Sequence, residues 1–474
     1  MEAARVLQGF GDWKDPGRRQ AYREAVQSLD RKIVVLDDDP TGIQTVHDVY
    51  VYTHWDRESI LEGFESENPI FFVLTNSRGM TEEETERVHR EIAEHILYAR
   101  EKTGKEFLVI SRSDSTLRGH YPLETETLRR TMEENGSLRY DGEIIMPFFK
   151  EGGRFTIGDV HYVQEGDRLI PAGETEFARD KTFGYQNSDL KLWVEEKCNG
   201  ACPAERVVSI SLEQLRGCRY DEIRDILCEV NGFSKVIVNA VSYGDVEVFA
   251  TSLCRAVKLG KQFLFRTAAA LPRVLAGIEE KGLLTSEELR RGQPAEVGGL
   301  VIAGSHVDKT TRQLRELLKL PGVEGIEFNQ HLVVEEPAFE AEVERVIRCA
   351  TACIESGKTA AVYTRRQRFD VNSGNKEDEL RLAARISQAV TDIAARLDVR
   401  PSFIVAKGGI TSSDIGTRAL RVRKALVLGQ ILPGIPVWMT DNSSKFPGLP
   451  YIIFPGNVGG DGALREAVEI LTRP

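Results

Sequence analysis

The sequence predicts an α/β protein of two domains, each with a largely parallel sheet flanked by helices. Three observations carry that expectation. Short apolar runs alternate with amphipathic stretches almost from end to end, the order that lays helices over a parallel sheet. The 474 residues exceed the roughly 100–200 that one domain usually holds. The alternation also loosens across 276–299, a glycine- and charge-rich stretch (GIEEKGLLTSEELRRGQPAEVGG). The boundary is therefore placed between an N-terminal domain, 1–280, and a C-terminal domain, 281–474.

The strands read at 33–36, 70–74, 107–110, 143–146, 207–210 and 236–238 in the first domain. In the second they read at 300–303, 359–363, 403–406 and 451–454. Amphipathic helices are expected at 82–102, 123–134, 313–320 and 378–397. Open α/β sheets bind ligands beyond the carboxyl ends of their strands, so the strand-to-helix turns carry the candidate sites.

Composition narrows the function. A net charge of −11 and a pI near 5.5 argue against nucleic acid as a partner, which would call for a basic stripe. They permit an anionic small molecule, because a pocket can be locally basic on an acidic protein. No apolar run approaches the roughly 18 residues of a membrane span, so no membrane partner is expected. The first 20 residues are polar and lack an apolar signal core, which points to the cytoplasm. The seven cysteines are too few and too irregular for a disulfide framework. Cys198 and Cys202, like Cys349 and Cys353, are four apart, a spacing that matches neither a zinc ribbon nor a redox pair. Together with histidines that form no constellation, this predicts no protein-bound metal site. Homo-oligomerisation stays open.

In the C-terminal domain three strands run into glycine turns. One leads to Gly304-Ser305, a second to Lys407-Gly408-Gly409-Ile410-Thr411-Ser412, and a third to Pro455-Gly456-Asn457-Val458-Gly459-Gly460. Glycine lets backbone approach a phosphate, and free amides at a helix start favour anions. Hydroxyls at Ser305, Thr411 and Ser412 can add hydrogen bonds. A single such turn is ordinary αβ chemistry, whereas three in one domain point to a polyphosphate site. Gly357-Lys358-Thr359 resembles the end of a P-loop, but it follows a helix and precedes a strand, the reverse order. It reads as a helix C-cap.

In the N-terminal domain the first strand ends in Asp37-Asp38-Asp39-Pro40-Thr41-Gly42. A turn explains one aspartate there; three repel each other unless a cation or a proton-transfer role compensates. Arg78, Arg118 and Arg154 follow other strand ends, and guanidinium binds carboxylate bidentately. Together they suggest an anionic substrate.

The order of these motifs resembles the four-carbon acid sugar kinase family, which includes threonate, erythronate and 3-oxo-tetronate kinases. The resemblance rests on Asp38-Asp39-Pro40-Thr41-Gly42, Ser77-Arg78, Asp114-Ser115-Thr116-Leu117-Arg118-Gly119, Gly153-Arg154 with His161 and Tyr162, and Thr175, Phe177 and Asp180. It continues through Gly304-Ser305, Gly408-Gly409 with Thr411, and Gly456-Asn457 with Gly459. It implies a sugar-acid domain and an ATP domain meeting at a cleft. The substrate set implied is Thr41, Ser77, Arg78, Asp114, Ser115, Arg118, Gly153 and Arg154. The nucleotide set is Ser305, Gly408, Gly409, Ile410, Thr411, Gly456, Asn457 and Gly459. Pro40 stands where the family usually has Leu, Thr45-Val46-His47 where it has Asp-Thr-Gly, Arg112 where Lys is frequent, and Asn239 where Asp is common. These departures bear on which sugar acid is used.

The expected chemistry is in-line transfer of the ATP γ-phosphoryl to a hydroxyl of a small sugar acid. Mg²⁺ on the phosphates and Asp38 or Asp39 as base or metal partner would assist, because such a step needs positioning and charge neutralisation above all. Two rivals are weighed against it. A nicotinamide-dependent dehydrogenase should show G-x-G-x-x-G after a strand and an acidic residue about 20 further on, and neither half does. A non-catalytic sensor of the same ligands is opposed by the acidic trio.

Overall fold

The apolar runs become strands buried on both faces, as parallel sheets covered by helices require. The computed structural model describes residues 2–11, 15–136, 138–293, 296–367, 376–456 and 458–473, and the chain divides into two units, Met1–Thr45 with His54–Glu280, and Val46–Thr53 with Lys281–Pro474. Among the described residues no helix is long and apolar enough to cross a membrane.

The strands of the first half are β1 (Lys32–Asp37), β2 (Val49–Tyr52), β3 (Ile70–Leu74), β4 (Phe107–Arg112) and β5 (Gly142–Met146). They continue with β6 (Arg154–Ile157), β7 (Val160–Glu165), β8 (Arg168–Pro171), β9 (Val208–Ile210), β10 (Ser234–Val238) and β11 (Phe263–Thr267). Of these, β2 belongs to the second unit. The first unit's main sheet runs β3-β1-β4-β11-β5-β10-β9, with every pair parallel. The chain goes from β1 to β3 on one side and then crosses to β4 on the other. The switch point, where a crevice opens beyond the strand ends, lies between β1 and β4. A separate antiparallel sheet, β6-β7-β8, packs Val163 with Leu117, Tyr121, Ile145 and Trp193 in one cluster.

Local chemistry sets the helices that deliver these strands. Helix Glu82–Thr103 starts in a capping box between Thr81 and Glu84 and stops at Gly104, whose φ is 68°. Its buried stripe Val88, Ile92, Ala93, Ile96 and Ala99 has the period of one helix face.

The second unit continues with β12 (Leu300–Ala303), β13 (Val323–Phe328), β14 (Thr359–Thr364), β15 (Ile404–Lys407), β16 (Lys424–Leu432), β17 (Ile435–Thr440) and β18 (Pro450–Phe454). Its order is β13-β14-β12-β15-β18-β17-β16-β2. The pairs from β13 to β18 are parallel, and those involving β17 and β16 antiparallel. Here too the chain leaves β12 on one side for β13 and β14 and returns on the other for β15. The second switch point lies between β12 and β15. Helices Asp308–Leu317 and Ala463–Thr472 cover this sheet, burying Leu314, Leu317, Leu464 and Val468 against Val301, Val405 and Ile452.

The stretch 276–299 is more ordered than its composition suggests. It holds helix Ser286–Arg290, started by a capping box of Thr285 and Glu288, and Leu284 and Leu289 enter the second unit's core. Gly357 follows helix Glu336–Glu355 with φ 79° and donates to the Ile354 carbonyl at 3.0 Å. That is a helix C-cap, as its order in the sequence predicts.

Candidate functional site

Each switch point gathers one of the two chemistries. In the first unit, the β1–β4 ladder extends past the strands: the Asp38 N–H donates to the Arg112 carbonyl at 3.2 Å. That brings Asp38 alongside Ser113, whose hydroxyl donates to Asp38 Oδ2 at 2.8 Å. Arg78 comes from the turn after β3 and grips Asp38 with two bonds, Nη2 to Oδ1 at 2.8 Å and Nε to Oδ2 at 3.2 Å. It also reaches Asp39 at 3.2 Å and Asp114 at 3.8 Å. Arg112 takes Asp37 at 3.1 Å. Two guanidinium groups thus pair with the acidic trio within the protein.

The three acids differ in environment. Burial pushes the Asp37 carboxyl up to about 7, against the pull of Arg112 and with Asp38 and Asp39 adding to the rise. Burial also raises Asp39, but Arg78 and the hydroxyl and amide of Thr41 outweigh it and hold that carboxyl below its ordinary range. The Thr41 amide donates to Asp39 Oδ1 at 2.7 Å and its hydroxyl joins the same atom, closing a turn on Asp39. The turn must pass close beneath Asp37: a Cβ on Gly42 would sit 1.9 Å from the Asp37 carboxylate.

Arg118 donates through Nε to Asp114 Oδ2 at 2.8 Å and lies 3.6 Å from Asp180. Burial notwithstanding, Arg78 and Arg118 hold the Asp114 carboxyl well below its ordinary range. Arg154 is different. Among the described residues it has no carboxylate within ion-pair distance, and its Nε is buried without a partner. Burial lowers its affinity for a proton, yet a guanidinium keeps its charge in proteins. It shares the Phe177 ring with Arg118, at 5.6 and 5.0 Å from the centroid.

The structure thus brings Asp38, Asp39, Thr41, Arg78, Asp114 and Arg118 into one connected cluster. The other expected substrate residues stand behind it. Ser77 is fully buried and gives its hydroxyl to Glu124 at 2.6 Å. Gly153 forms the turn before β6 with φ 72°. The Ser115 carbonyl accepts from His161 Nε2 at 2.8 Å, and His161 Nδ1 faces the Thr156 hydroxyl at 3.0 Å. Sequence reasoning named Arg112 only as a departure from the family pattern and assigned no role to Ser113 or Glu124, nor to Arg266, a buried guanidinium donating to the carbonyls of Asp114 and Arg118 at 3.3 and 2.9 Å. Only Arg112 and Ser113 carried a signal, as neighbours of Asp114.

His161 gives a stability prediction. Burial lowers its pKa from 6.5 to about 4, so the folded ring stays neutral where the unfolded one takes up a proton. Stability from this group is complete above pH 6.5 and lost as pH falls towards 4. His161→Gln keeps a donor for Ser115 but does not titrate. Thermal melts should show the wild-type Tm falling more steeply than the variant's across that window. Parallel curves would contradict it.

In the second unit, Gly304, Ser305 and Gly408 lie at the ends of β12 and β15, the two strands that border the switch point. Gly408 has φ 112°, a conformation that side chains rarely adopt, and its N–H donates to the Phe454 carbonyl at 2.8 Å. Helix Gly409–Asp414 starts there, locked by the Ser412 hydroxyl on the Ala406 carbonyl at 2.8 Å. Thr411 Oγ1 would lie 3.3 Å from a Cβ on Gly304 and 3.7 Å from one on Gly408, so both turns converge on that hydroxyl. Ile410 is 76% exposed, an apolar surface suited to the face of a base or ribose. Gly459, with φ 78°, stands in the third turn, which Gln313 ties down through the carbonyls of Val458 and Gly460 at 3.1 and 2.9 Å. Asn457 lies outside the described residues.

Two cations there were not singled out by the sequence. Lys407 is fully buried and donates to the carbonyls of Pro455 and Gly456 at 2.8 and 3.0 Å. Arg366 donates to the Ser305 carbonyl at 2.6 Å and to the Thr311 hydroxyl at 3.1 Å. The position of Lys407 directly before Gly408 was a usable signal; Arg366 gave none.

Comparisons with known proteins follow the same division. Residues 33–275 match the family described as a sugar-binding N-terminal domain, and residues 300–464 the nucleotide-binding C-terminal domain. No curated protein matches the sequence. Among solved structures, a Salmonella typhimurium LT2 protein provisionally described as a tRNA synthase is similar at 15% identity, over 92% of this chain and 98% of that one, with a TM-score of 0.64. A Haemophilus influenzae protein is similar at 16% identity, over 92% of this chain and 100% of that one, with a TM-score of 0.63. At such identities the likeness is one of fold. The sugar-binding match alone spans more than half of the sequence, and with the nucleotide-binding match in its expected place the chain belongs to the four-carbon acid sugar kinase family.

Proposed function

We propose that this protein transfers the γ-phosphoryl group of ATP to a hydroxyl of a small sugar acid, of four carbons. The observation that carries the reading is the division of chemistry between the two switch points. The sugar-binding unit presents a carboxylate–guanidinium cluster, and the nucleotide-binding unit presents glycine turns with buried cations behind them. A polyphosphate and a hydroxylated carboxylate are the ligands these two surfaces suit.

In this reading Arg154 holds the substrate carboxylate, because its charge has no carboxylate partner among the described residues. Arg78 and Arg118 orient the acids they already bind. Asp38, fixed by Arg78 and Ser113, takes the proton of the reacting hydroxyl. Amides at Gly409 and Gly456 and the hydroxyls of Ser305 and Thr411 receive the phosphates, with Gly408 shaping the turn that presents them. Mg²⁺ fits this residue set only as a partner of the nucleotide. Among the described residues no group of three or more His, Cys, Asp or Glu could hold an ion, so phosphate oxygens and water would supply most ligands, with Asp39 as a candidate carboxylate. Bound that way, the ion would supply charge neutralisation for the transferring group.

Turnover should therefore stop on chelation and return on simple re-addition of Mg²⁺. Stoichiometric zinc in the purified protein would contradict this. The experiment that tests the whole reading is ADP release, measured against a panel of four-carbon sugar acids. A ligand sensor is favoured by one observation, that Arg78 and Arg112 already compensate the acidic trio, so the acids need no reaction to explain them. Binding of both ligands with no ADP release from any acid would decide for the sensor.

A further inference from the structure

Two of the phosphate-facing turns in the second unit are held by a cation that lacks an anionic partner. Lys407 is 0% exposed, and its ammonium reaches only backbone oxygens, Pro455 at 2.8 Å and Gly456 at 3.0 Å, beneath the Phe454 ring at 4.4 Å. Among the described residues no carboxylate lies within ion-pair distance of it. Burial first, and then the neighbouring Lys309, lower its pKa to about 7, as expected of a buried charge without compensation. Arg366 repeats the arrangement. Its Nη2 holds the Ser305 carbonyl at 2.6 Å, its Nη1 is buried with no partner, and no carboxylate among the described residues pairs with it. Burying an uncompensated charge is costly. Two such groups at the turns around one switch point call for a missing anion.

The backbone shows what the arrangement does. The Pro455–Gly456 peptide is planar, so its N–H points opposite to its C=O. With the Pro455 carbonyl drawn to Lys407, the Gly456 N–H is turned the other way, and among the described residues it has no hydrogen-bond partner. A Cβ placed on Gly456 would meet nothing within 4 Å, so the space beside its Cα is open.

We infer that Lys407 and Arg366 are a paired device for polyphosphate. Each pulls the carbonyls of a phosphate-binding turn inward, and the nucleotide's phosphates supply the counter-charge that both lack. Lys407 is a positioning residue that acts through Gly456, whereas Arg366, whose Nη1 has no partner, contributes its own charge to the phosphates. This rests on the nucleotide reading above and adds two residues and a division of roles to it.

The test is calorimetry with ADP and with adenosine, on the wild type and on Lys407→Met and Arg366→Met. A lost charge-assisted bond predicts that ADP affinity falls by roughly 10- to 100-fold in each variant, while adenosine affinity stays within about threefold of wild type by the same arithmetic. Arg366→Lys should recover part of the loss. A variant that loses ADP and adenosine equally has merely lost the shape of its turn, which overturns the inference, as does unchanged ADP affinity. Should Lys407→Met fail to fold, the half-exposed Arg366 still decides. A wild type that binds neither probe would sink the nucleotide reading itself, an outcome distinguishable from failure of the pair.

Discussion

Replacing Asp38 by asparagine is expected to cut kcat by roughly 100-fold or more, the scale for losing a general base, with the fold intact. The argument is geometric. Both Asp38 oxygens are fixed, Oδ1 by Arg78 Nη2 at 2.8 Å and Oδ2 by Ser113 at 2.8 Å. Asparagine keeps the shape and one acceptor but cannot take a proton. Breaking a buried ion pair ordinarily costs about 3–5 kcal/mol because a charge is stranded. Here Arg78 retains Asp39 at 3.2 Å and Asp114 at 3.8 Å, so the stability loss should fall below that range. Asp39→Asn removes the anchor of the Thr41 turn as well and should show both a kcat loss and a lower Tm. Asp37→Asn serves as the control, since Asp37 faces Arg112; it should shift stability and leave kcat close to wild type. If Asp38→Asn and Asp39→Asn both turn over at near-normal rates, neither acid is the base and the trio is a turn braced by arginines.

Much of this arrangement was legible in the sequence, and the boundary of legibility is physical. The central parallel strands announce themselves because burial on both faces makes them continuous apolar runs, such as Ile70–Leu74. Strand β11 was missed because its FLFRT run is short and carries Arg266, a charge that becomes 1% exposed. The hairpin of β16 and β17 was missed: β16 alternates buried and half-buried residues, and the register between the two strands shifts at Gly429. Residues Val46–Thr53 cross to the second unit, where β2 pairs with β16; no local pattern could reveal a partner more than 370 residues away. The antiparallel sheet β6-β7-β8 was likewise invisible as a unit, although Gly153, Gly158 and Gly166 mark its turns with positive φ.

The site divides in the same way. Residue types at strand ends were readable because turns collect Asp, Gly and Ser for chemical reasons. Their partners were not, because pairing is a long-range fact. Arg78, Arg118 and Arg154 looked equivalent in the sequence, each an arginine after a strand. In the structure Arg78 and Arg118 are occupied by Asp38 and Asp114, and only Arg154 lacks a carboxylate. Equally, Ser77 matches its family motif but turns its hydroxyl into the interior, towards Glu124, where it supports the turn that carries Arg78.

That asymmetry among the arginines, set beside the open space at Gly456, supplies the second large expected effect. Damage to each unit should weaken one ligand alone. Arg154→Met keeps an unbranched side chain but removes the guanidinium that lies over Phe177, and losing a charge-assisted bond to a charged group costs about 1.5–3 kcal/mol. That is roughly 10- to 150-fold in affinity for the sugar acid. Arg118→Ala should weaken the acid less directly, since it also strips Asp114 of its nearest partner. Gly456→Val works by the opposite logic. Its Cβ would touch nothing within 4 Å and its backbone φ is not among the positive ones, so the free protein should fold and melt as before. A branched side chain there would nevertheless fill the space a phosphate needs, and ADP affinity should drop by an order of magnitude or more, about 1.4 kcal/mol per tenfold. Calorimetry with each ligand alone separates the two. The expected pattern is Arg154→Met binding ADP normally and Gly456→Val binding the sugar acid normally. A Gly456→Val protein that loses the acid, or an Arg154→Met protein that loses ADP, would mean that the division of labour between the units is wrong. Gly456→Val with unchanged ADP affinity would remove the third turn from the nucleotide site and leave Gly304 and Gly408 to account for it.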